Sequence, residues 1–226
     1  MTVRASSTVE DYLKCIFRAE HEARQSGEDL VPMGRIAALL EVAPASVTAM
    51  MKTLAESGLI AYEPYSGVRL EPAGRKLAAH VLRRHRLVEL FLVNAMGFDW
   101  SEVHSEAELL EHAVSERMIE RMDEMLGHPS VDPHGDPIPS ADGHIEIVDH
   151  PSLLKCPLNC TVEVVRVTDQ DAEFLRFADR EGLAPGRSVE VAARDETAGS
   201  VAVISGTRQL SLGFPAASKV LVREAP

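Results

Sequence analysis

Four acidic and imidazole side chains recur along one stretch of the chain at a spacing that suits metal binding. His104, Glu108, Glu111 and His112 follow the i, i+4, i+7, i+8 pattern that places side chains on one side of a helix. Carboxylates brought together repel one another and take up protons unless a cation stabilises the charged forms, and a neutral imidazole adds a nitrogen lone pair. The set of Glu108, Glu111 and His112 therefore predicts a chelating group on a helix.

A second helical segment carries two more donor residues. His85 and Glu89 stand at i and i+4, so both side chains can reach one ion. Asp11 lies at the edge of an earlier predicted helix. Donor pairs of this kind are also common as solvated surface charge, which is the alternative interpretation of each of them. The other histidines, His134 among them, lie in polar or loop contexts and are assigned no ligand role.

Length and composition favour a protein of several domains. The chain has 226 residues, enough for two or three domains, and contains no apolar run of the roughly eighteen residues that a membrane span needs. Three cysteines, Cys15, Cys156 and Cys160, are too few and too unevenly spread for a disulfide framework. The sequence therefore predicts a soluble, cytoplasmic protein with reduced thiols.

The net charge of −12 is distributed unevenly along the chain. Through Arg86 there are 12 basic and 10 acidic residues, whereas the remainder has 11 basic and 25 acidic ones. Affinity for DNA depends on the local charge that faces phosphate. The first segment is therefore compatible with DNA binding, and the second one disfavours nonspecific contact.

The first third of the sequence has the pattern of a winged helix-turn-helix. Helices are predicted in three places, at about 8–24, 33–41 and 44–57. Two short extended runs follow within 59–70, separated by Ser66 and Gly67, which is a hairpin signal. Short helices, a tight connection and a hairpin together are typical of this motif.

The third predicted helix offers small hydrogen-bonding groups and one cation to DNA. A recognition helix presents its N-terminal residues to the major groove, with hydroxyls against base edges and lysine against phosphate. The predicted contacts on this helix are Pro44, Ser46, Thr48 and Lys52. On the wing, Ser66 and Arg69 are predicted to contact phosphate or the minor groove. A solvated helix start and a solvated hairpin are the alternatives.

The middle of the chain is predicted to be helical and its end to be rich in strands. Helices are predicted at 72–96, 100–113 and 115–126, and a segment rich in proline and glycine follows at 127–143. Short β-rich runs then begin at four places, Thr161, Ser188, Ser200 and Lys219, with one short helix at 171–180. This spacing predicts a small β-barrel and an α+β fold class overall.

Five motifs in this order resemble the diphtheria toxin repressor family of metal-dependent transcriptional regulators, with the manganese-responsive MntR branch as the nearer match. They are EDYL from residue 10, SVTAMMKTLAESGLI from 46, RHRLVELFL from 84, EAELLEH from 106 and PHGDPIP from 133. The resemblance covers residues 7–226. Each motif alone is weak, whereas their ordered combination is highly specific.

The resemblance implies three domains and two metal sites. The domains are a winged helix-turn-helix DNA-binding domain at 1–72, an all-α dimerisation and metal-binding domain at 73–143 with a linker at about 127–150, and a small SH3-like (FeoA-like) β-barrel at 151–226. The principal site implied is Asp11, Glu108, Glu111 and His112. The second site implied is His85, Glu89 and His104, completed by Asp171 or Glu173 from the short helix.

The resemblance also implies a metal-dependent homodimer that binds palindromic operator DNA and represses metal-uptake genes, with activation of some targets left open. The iron-responsive branch has methionine and cysteine where Asp11 and Glu108 stand, and harder oxygen ligands favour Mn²⁺. Fe²⁺ is the alternative ion, and other divalent transition ions are expected to substitute in vitro. Lys14 replaces a carboxylate of the short manganese regulators, so a paired-ion arrangement like theirs is not implied.

Two interpretations from other classes remain open at this stage. Helices that carry Glu and His also build di-metal carboxylate enzymes, although those use paired Glu-x-x-His motifs and the winged module would be unexplained. A DNA-binding protein with a purely structural metal, whose barrel senses a peptide or another partner, is the other interpretation. No nucleophile–base arrangement stands out, so the sequence predicts no catalysis, no small-molecule substrate and no membrane partner.

Overall fold

The computed structural model describes residues 5–25, 27–146 and 148–225, which fall into two compact units. The first unit contains the described residues up to Arg84 together with Pro139–Ile145. The second unit contains His85–Ile138 and the described residues from Glu146 onward. The division therefore falls inside one long helix.

The first unit is the predicted winged helix-turn-helix. Its helices are α1 (Ser7–Gln25), α2 (Met33–Leu39), α3 (Pro44–Glu56) and the first half of α4 (Pro72–Met96), and its strands are β1 (Ile60–Glu63) and β2 (Gly67–Leu70). The strands pair antiparallel, and Val31 adds a bridge to Val68 at the base of the wing. Proline at the start of α3 fits the first helical turn, where its missing N–H is not needed.

Two buried glutamates hold α1 in the first unit. Glu20 accepts a hydrogen bond from the backbone N–H of Leu70 at 2.6 Å and one from the Arg75 guanidinium at 2.5 Å. Glu10 pairs with Arg84 at 2.7 Å, and both side chains are almost fully buried. The apolar face of α1 packs into the same core as α2, α3 and the wing.

No single helix among the described residues is both long and apolar enough to cross a membrane. The bent helix pair α2–α3 is long and apolar enough when its two helices are taken together, judged by length and composition alone.

The helical part of the second unit consists of the rest of α4, α5 (Val103–Leu110) and α6 (Glu116–Met125). The predicted helix at 100–113 was wrong at both ends. At the start, the Asp99 carboxylate accepts hydrogen bonds from the N–H and hydroxyl of Ser101 and holds a turn there. At the end, the N–H of Ala113 bonds back to the Leu110 carbonyl in a tight turn. The predicted cap of α6 is confirmed, since Ser115 accepts from the N–H of Met118.

The C-terminal β-domain is an open antiparallel sheet in the order β6-β5-β4-β3-β7. Its elements are β3 (Thr161–Val167), α7 (Ala172–Arg180), β4 (Ser188–Asp195), β5 (Ser200–Ser205), β6 (Arg208–Gly213), α8 (Phe214–Ala217) and β7 (Val220–Glu224). The prediction missed β6, and the predicted barrel is corrected: no pairing of β6 with β7 closes the sheet among the described residues. The short α8 connects those two edge strands and packs against β5 and β6.

Part of the predicted linker is an ordered turn, which we call the 130–138 loop. The N–H of Ile138 bonds to the carbonyl of Ser130, and the N–H of Asp132 bonds to the carbonyl of Asp136. The side chain of Asp132 accepts from the N–H groups of His134 and Asp136 at 2.8 and 2.9 Å. The loop is tied to the β-domain because the N–H of Val167 donates to the carbonyl of His134.

Gly135 allows the 130–138 loop to lie directly against β3. Its φ of +86° is in the left-handed region, and a Cβ there would meet the carbonyl oxygen of Val165 at 2.0 Å. A side chain at this position would therefore carry backbone strain and also push β3 away from the loop.

We expect Gly135→Ala to lower the free energy of unfolding by about 3 kcal/mol or more, because strain and a backbone clash act together. Gly127→Ala is the matched control, since Gly127 has a φ of +75° and a methyl group added there would meet nothing within 4 Å. That control should lose only about 1 kcal/mol. Urea unfolding of both variants measures the difference, and equal losses would contradict this account of the loop.

Candidate metal centre

His85 lies on α4 between two buried carboxylates. Its Nδ1 is 2.6 Å from an oxygen of Glu111, and its Nε2 is 3.0 Å from an oxygen of Glu89. Both glutamate side chains have 0% exposure. A neutral imidazole donates from only one nitrogen, so either a second proton or a cation is required to balance both carboxylates.

His104 and Glu108 of α5 complete a first donor group with His85, which we call the α4–α5 cluster. The Nδ1 of His104 is 3.1 Å from Nε2 of His85 and 3.2 Å from Glu89. The Glu108 carboxylate is 3.6 Å from Nε2 of His104. One donor atom from each of His85, His104 and Glu108 lies within 4.8 Å of the others, which is close enough to share an ion.

Glu111 and His112 come directly after the last residue of α5. Glu111 is the C-terminal cap residue of the helix, and its second oxygen is 3.2 Å from Nε2 of His112. The structure therefore places Glu108 with the two histidines of the α4–α5 cluster, and Glu111 and His112 beside one another. Asp11 lies on α1 in the first unit, where it is half-buried.

A second donor group is fully buried and contains two residues that the sequence analysis did not select. Glu89, Asp132 and His134, which we call the buried cluster, bring donor atoms within 4.8 Å of one another. Nδ1 of His134 is 3.8 Å from Glu89 and 4.0 Å from Asp132. The composition of a proline- and glycine-rich segment concealed these residues, although the alternation of Asp132, His134 and Asp136 was a signal.

The buried cluster has the donor chemistry that a divalent cation requires. Each residue of this cluster has one buried atom without a hydrogen-bond partner within the described residues, namely Oε2 of Glu89, Oδ2 of Asp132 and Nδ1 of His134. Burying such groups without partners is unfavourable. Two carboxylates and an imidazole that face one another with lone pairs available fit an ion well.

Electrostatics distinguish the two carboxyl groups of this cluster. Burial raises the pKa of Asp132 well above its usual range, and the nearby charges of Asp136 and Glu89 raise it further. Burial also raises the pKa of Glu89, but hydrogen bonds from His104 and His85 and the histidine charges outweigh that effect and lower it overall. The buried cluster therefore disfavours the charged form of Asp132 and favours the charged form of Glu89.

Asp171 caps the N-terminus of α7. Its carboxylate is exposed and accepts hydrogen bonds from the N–H groups of Glu173 and Phe174, both at 3.0 Å. Neither Asp171 nor Glu173 belongs to a donor group found in the described parts of the chain. The role of either residue as a ligand stays a prediction.

The residues predicted to contact DNA lie on the surface of the first unit. Pro44 and Ser46 are exposed in the first turn of α3, and Lys52 is exposed further along the helix. The Thr48 hydroxyl donates to the carbonyl of Pro44 at 3.0 Å, so only part of its hydrogen-bonding capacity faces outward. Ser66 and Arg69 are exposed on the wing.

Three known domains match consecutive segments of the chain. Residues 4–68 match the N-terminal DNA binding domain of the iron dependent repressors. Residues 71–140 match the metal binding and dimerisation domain of the same repressors. Residues 152–224 match the FeoA domain.

Two curated relatives share substantial sequence with the chain. The iron-dependent repressor IdeR of Mycobacterium leprae is 35% identical over 133 residues, which is 58% of this chain and 55% of that protein. The diphtheria toxin repressor of Corynebacterium efficiens is 30% identical over 198 residues, which is 81% of this chain and 82% of that protein. The chain thus spans about half the length of the first relative and most of the second.

Solved structures agree with this relationship. A manganese-dependent transcriptional repressor in complex with manganese is 38% identical, with a TM-score of 0.86, and the match covers 96% of this chain and 100% of that one. The manganese regulator SloR is 29% identical, with a TM-score of 0.76, over 96% of this chain and 98% of that one.

The DNA-binding domain and the metal-binding domain both match a family of repressors. This match excludes the di-metal carboxylate enzyme as an interpretation of the sequence. The resemblance carried by the five sequence motifs is thereby confirmed. This chain belongs to the diphtheria toxin repressor family of metal-dependent transcriptional regulators.

Proposed function

We propose that this chain is a manganese-responsive repressor, a homodimer that binds palindromic operator DNA when loaded with metal and represses metal-uptake genes. The observation that carries the proposal is the set of buried carboxylate and imidazole atoms that face one another without hydrogen-bond partners in the described residues, at Glu89, Asp132 and His134. A bound divalent ion would give these atoms direct partners, in addition to the Arg86 guanidinium that lies 3.7 Å from Asp132.

The proposed ligands extend from the buried cluster along α4 and α5. Glu89 presents one oxygen to His134 and the other to His85 and His104, so a single carboxylate serves both clusters. In the proposal, Glu108 belongs to the α4–α5 cluster. The proposed ligands of the remaining site are Asp11, Glu111 and His112. The sharing of Glu89 and of His85 supports coupled rather than independent occupation.

The donor types favour Mn²⁺ over ions that prefer sulfur. The residues of the α4–α5 and buried clusters supply only carboxylate oxygen and imidazole nitrogen. Hard oxygen donors suit Mn²⁺, although Mn²⁺ binds most weakly among the divalent transition ions, so selectivity depends on the conformation that each ion stabilises. Similarity to a repressor solved with manganese supports the same choice. Fe²⁺ is the second candidate because the relative IdeR and two of the matching domains are named for iron.

The surfaces of α3, α5 and α6 support the proposed partners. Pro44, Ser46, Thr48 and Lys52 are proposed to face the major groove, and Ser66 and Arg69 the adjacent backbone. Large apolar side chains are exposed on the α5–α6 side of the second unit, namely Leu109 (73%), Met118 (52%) and Met125 (59%). Large exposed apolar side chains are common at interfaces, and we propose that these contact a second copy of the chain.

We expect Glu111→Gln to abolish metal-dependent operator binding while the fold is retained. The substitution keeps the size of the side chain but removes the charge that faces His85 and His112. Glu106→Gln on the exposed side of α5 is the matched control and should bind as wild type does. Fluorescence anisotropy with promoter DNA measures binding with and without Mn²⁺. Wild-type metal response in the Glu111 variant would reject this residue as a ligand.

Asp132→Asn should stabilise the metal-free protein at neutral pH. The folded-state pKa of Asp132 is raised above its ordinary value of 3.8, so the folded state holds a proton that the unfolded state releases. Wild type should therefore lose stability relative to the variant as pH rises above about 4, whereas the two should agree below it. Thermal unfolding from pH 3.5 to 8 measures this difference.

Added Mn²⁺ should make wild type more stable than Asp132→Asn, because a ligand that binds only the folded state raises the stability of that state. The melting temperature of wild type should rise with Mn²⁺ more than that of Asp132→Asn. The exposed Asp149→Asn serves as control and should follow wild type throughout. An equal rise in wild type and Asp132→Asn would remove Asp132 from the proposed ligands.

The choice of ion is tested by titrating metal-free protein with Mn²⁺, and separately with Fe²⁺ under anaerobic conditions. We expect operator binding to require metal and to reach half-saturation at a free Mn²⁺ concentration within the physiological range. Anisotropy of labelled promoter fragments from metal-transport genes is the measurement. Activation by Fe²⁺ alone would favour the iron-responsive alternative, and binding that ignores chelators would reject metal control.

A further inference from the structure

The imidazole of His134 is oriented by one backbone carbonyl. Its Nε2 lies 2.9 Å from the carbonyl oxygen of Trp100. A carbonyl can only accept, so Nε2 carries the hydrogen, and a neutral imidazole then leaves its lone pair on Nδ1. That nitrogen faces Glu89 and Asp132. Trp100 therefore selects the tautomer that can bind an ion in the buried cluster.

The turn that carries this carbonyl is itself fixed. Asp99 accepts hydrogen bonds from the N–H of Ser101 at 2.8 Å and from its hydroxyl at 2.6 Å, and Ser101 is buried. The indole of Trp100 packs against the core of the β-domain. The same ring lies over His134, with the ring centroids 5.5 Å apart and the planes inclined by 31°. Trp100 therefore contacts His134 through both its carbonyl and its indole, and the indole also contacts the β-domain.

The β-domain holds His134 from the opposite side as well. The N–H of Val167 in β3 donates to the carbonyl of His134 at 2.9 Å. Next to it, the Asp136 carboxylate forms an ion pair with Arg166 and accepts a hydrogen bond from Gln170 at 3.1 Å. Both the ring and the backbone of His134 are therefore positioned by contacts that depend on where the β-domain is seated.

We propose that Trp100 is a positioning residue for the buried cluster, and that through it ion binding at His134 is coupled to the seating of the β-domain. This rests on the proposed function only in taking Glu89, Asp132 and His134 as an ion site. Coupling of two equilibria is reciprocal. An ion in the cluster tightens the β-domain against the 130–138 loop, and loss of that packing weakens ion binding.

The position of the indole gives a direct signal for this cluster, because Trp100 is the only tryptophan in the chain. Mn²⁺ is added to metal-free full-length protein while tryptophan emission is recorded. Quenching should appear in wild type and in Glu106→Gln, whose side chain is exposed on α5, and should be lost in His134→Ala. Unchanged quenching in His134→Ala would refute ion binding at His134, and with it that part of the proposed function.

The positioning role is tested by measuring Mn²⁺ affinity, with the concentration of free Mn²⁺ determined by electron paramagnetic resonance. Trp100→Ala keeps the carbonyl that bonds to His134 but removes the indole that packs on His134 and on the β-domain. It should weaken Mn²⁺ binding at the site that is lost in His134→Ala by about 10–100-fold, the range seen when groups that orient ligands are lost. Trp100→Phe, which keeps an aromatic ring on the β-domain, should bind nearly as wild type does. Circular dichroism confirms that each variant is folded. Wild-type affinity in Trp100→Ala would overturn the inference while leaving the ion site intact.

The coupling is tested in the unmodified protein by hydrogen exchange at the amide of Val167. Mn²⁺ should slow this exchange in wild type and leave it unchanged in His134→Ala. Exchange in wild type that does not respond to Mn²⁺, while the quenching of Trp100 shows that the ion is bound, would overturn the coupling.

Discussion

Burial of the Glu89 carboxylate is the constraint on which the second unit depends. Its side chain is fully inaccessible, and the cost of dehydrating an isolated carboxylate is several kcal/mol. One oxygen is balanced by His85 and His104, and the other faces His134. Because a single charge must satisfy partners on two sides, α4, α5 and the 130–138 loop are held to one mutual geometry.

The same constraint explains why the loop is anchored to the β-domain. His134 comes from a segment without regular secondary structure, so no helix or strand of its own fixes its direction. The side chain of Asp132 fixes the backbone of the loop, and β3 supplies the N–H of Val167 to its outer side. Gly135 is required where the loop and β3 come closest. The β-domain therefore influences the buried cluster by fixing where the 130–138 loop lies.

The sequence predicted what depends on periodicity and failed where side chains set the backbone. The regular apolar spacing of α4 and the Ser115 cap of α6 were sufficient to place those helices. The start of α5 depends on hydrogen bonds that Asp99 accepts from Ser101, and its end on a backbone bond from Ala113 to Leu110. Strand β6 lacks the β-branched residues by which strands are recognised. His85, Glu89 and His104 were selected as candidate ligands by their spacing. Asp132 and His134 were not, since proline and glycine around them indicated a linker.

The buried glutamates of the two units differ in the kind of partner that balances them. In the first unit, Glu10 and Glu20 are paired with arginines, which stay charged at every physiological pH and fix the packing of α1 permanently. In the second unit, Glu89 and Glu111 face His85, whose nitrogens can hold a proton or bind an ion. Arginine partners therefore make one set of contacts constant, whereas imidazole partners would let the other set respond to metal if the proposed ligands hold an ion.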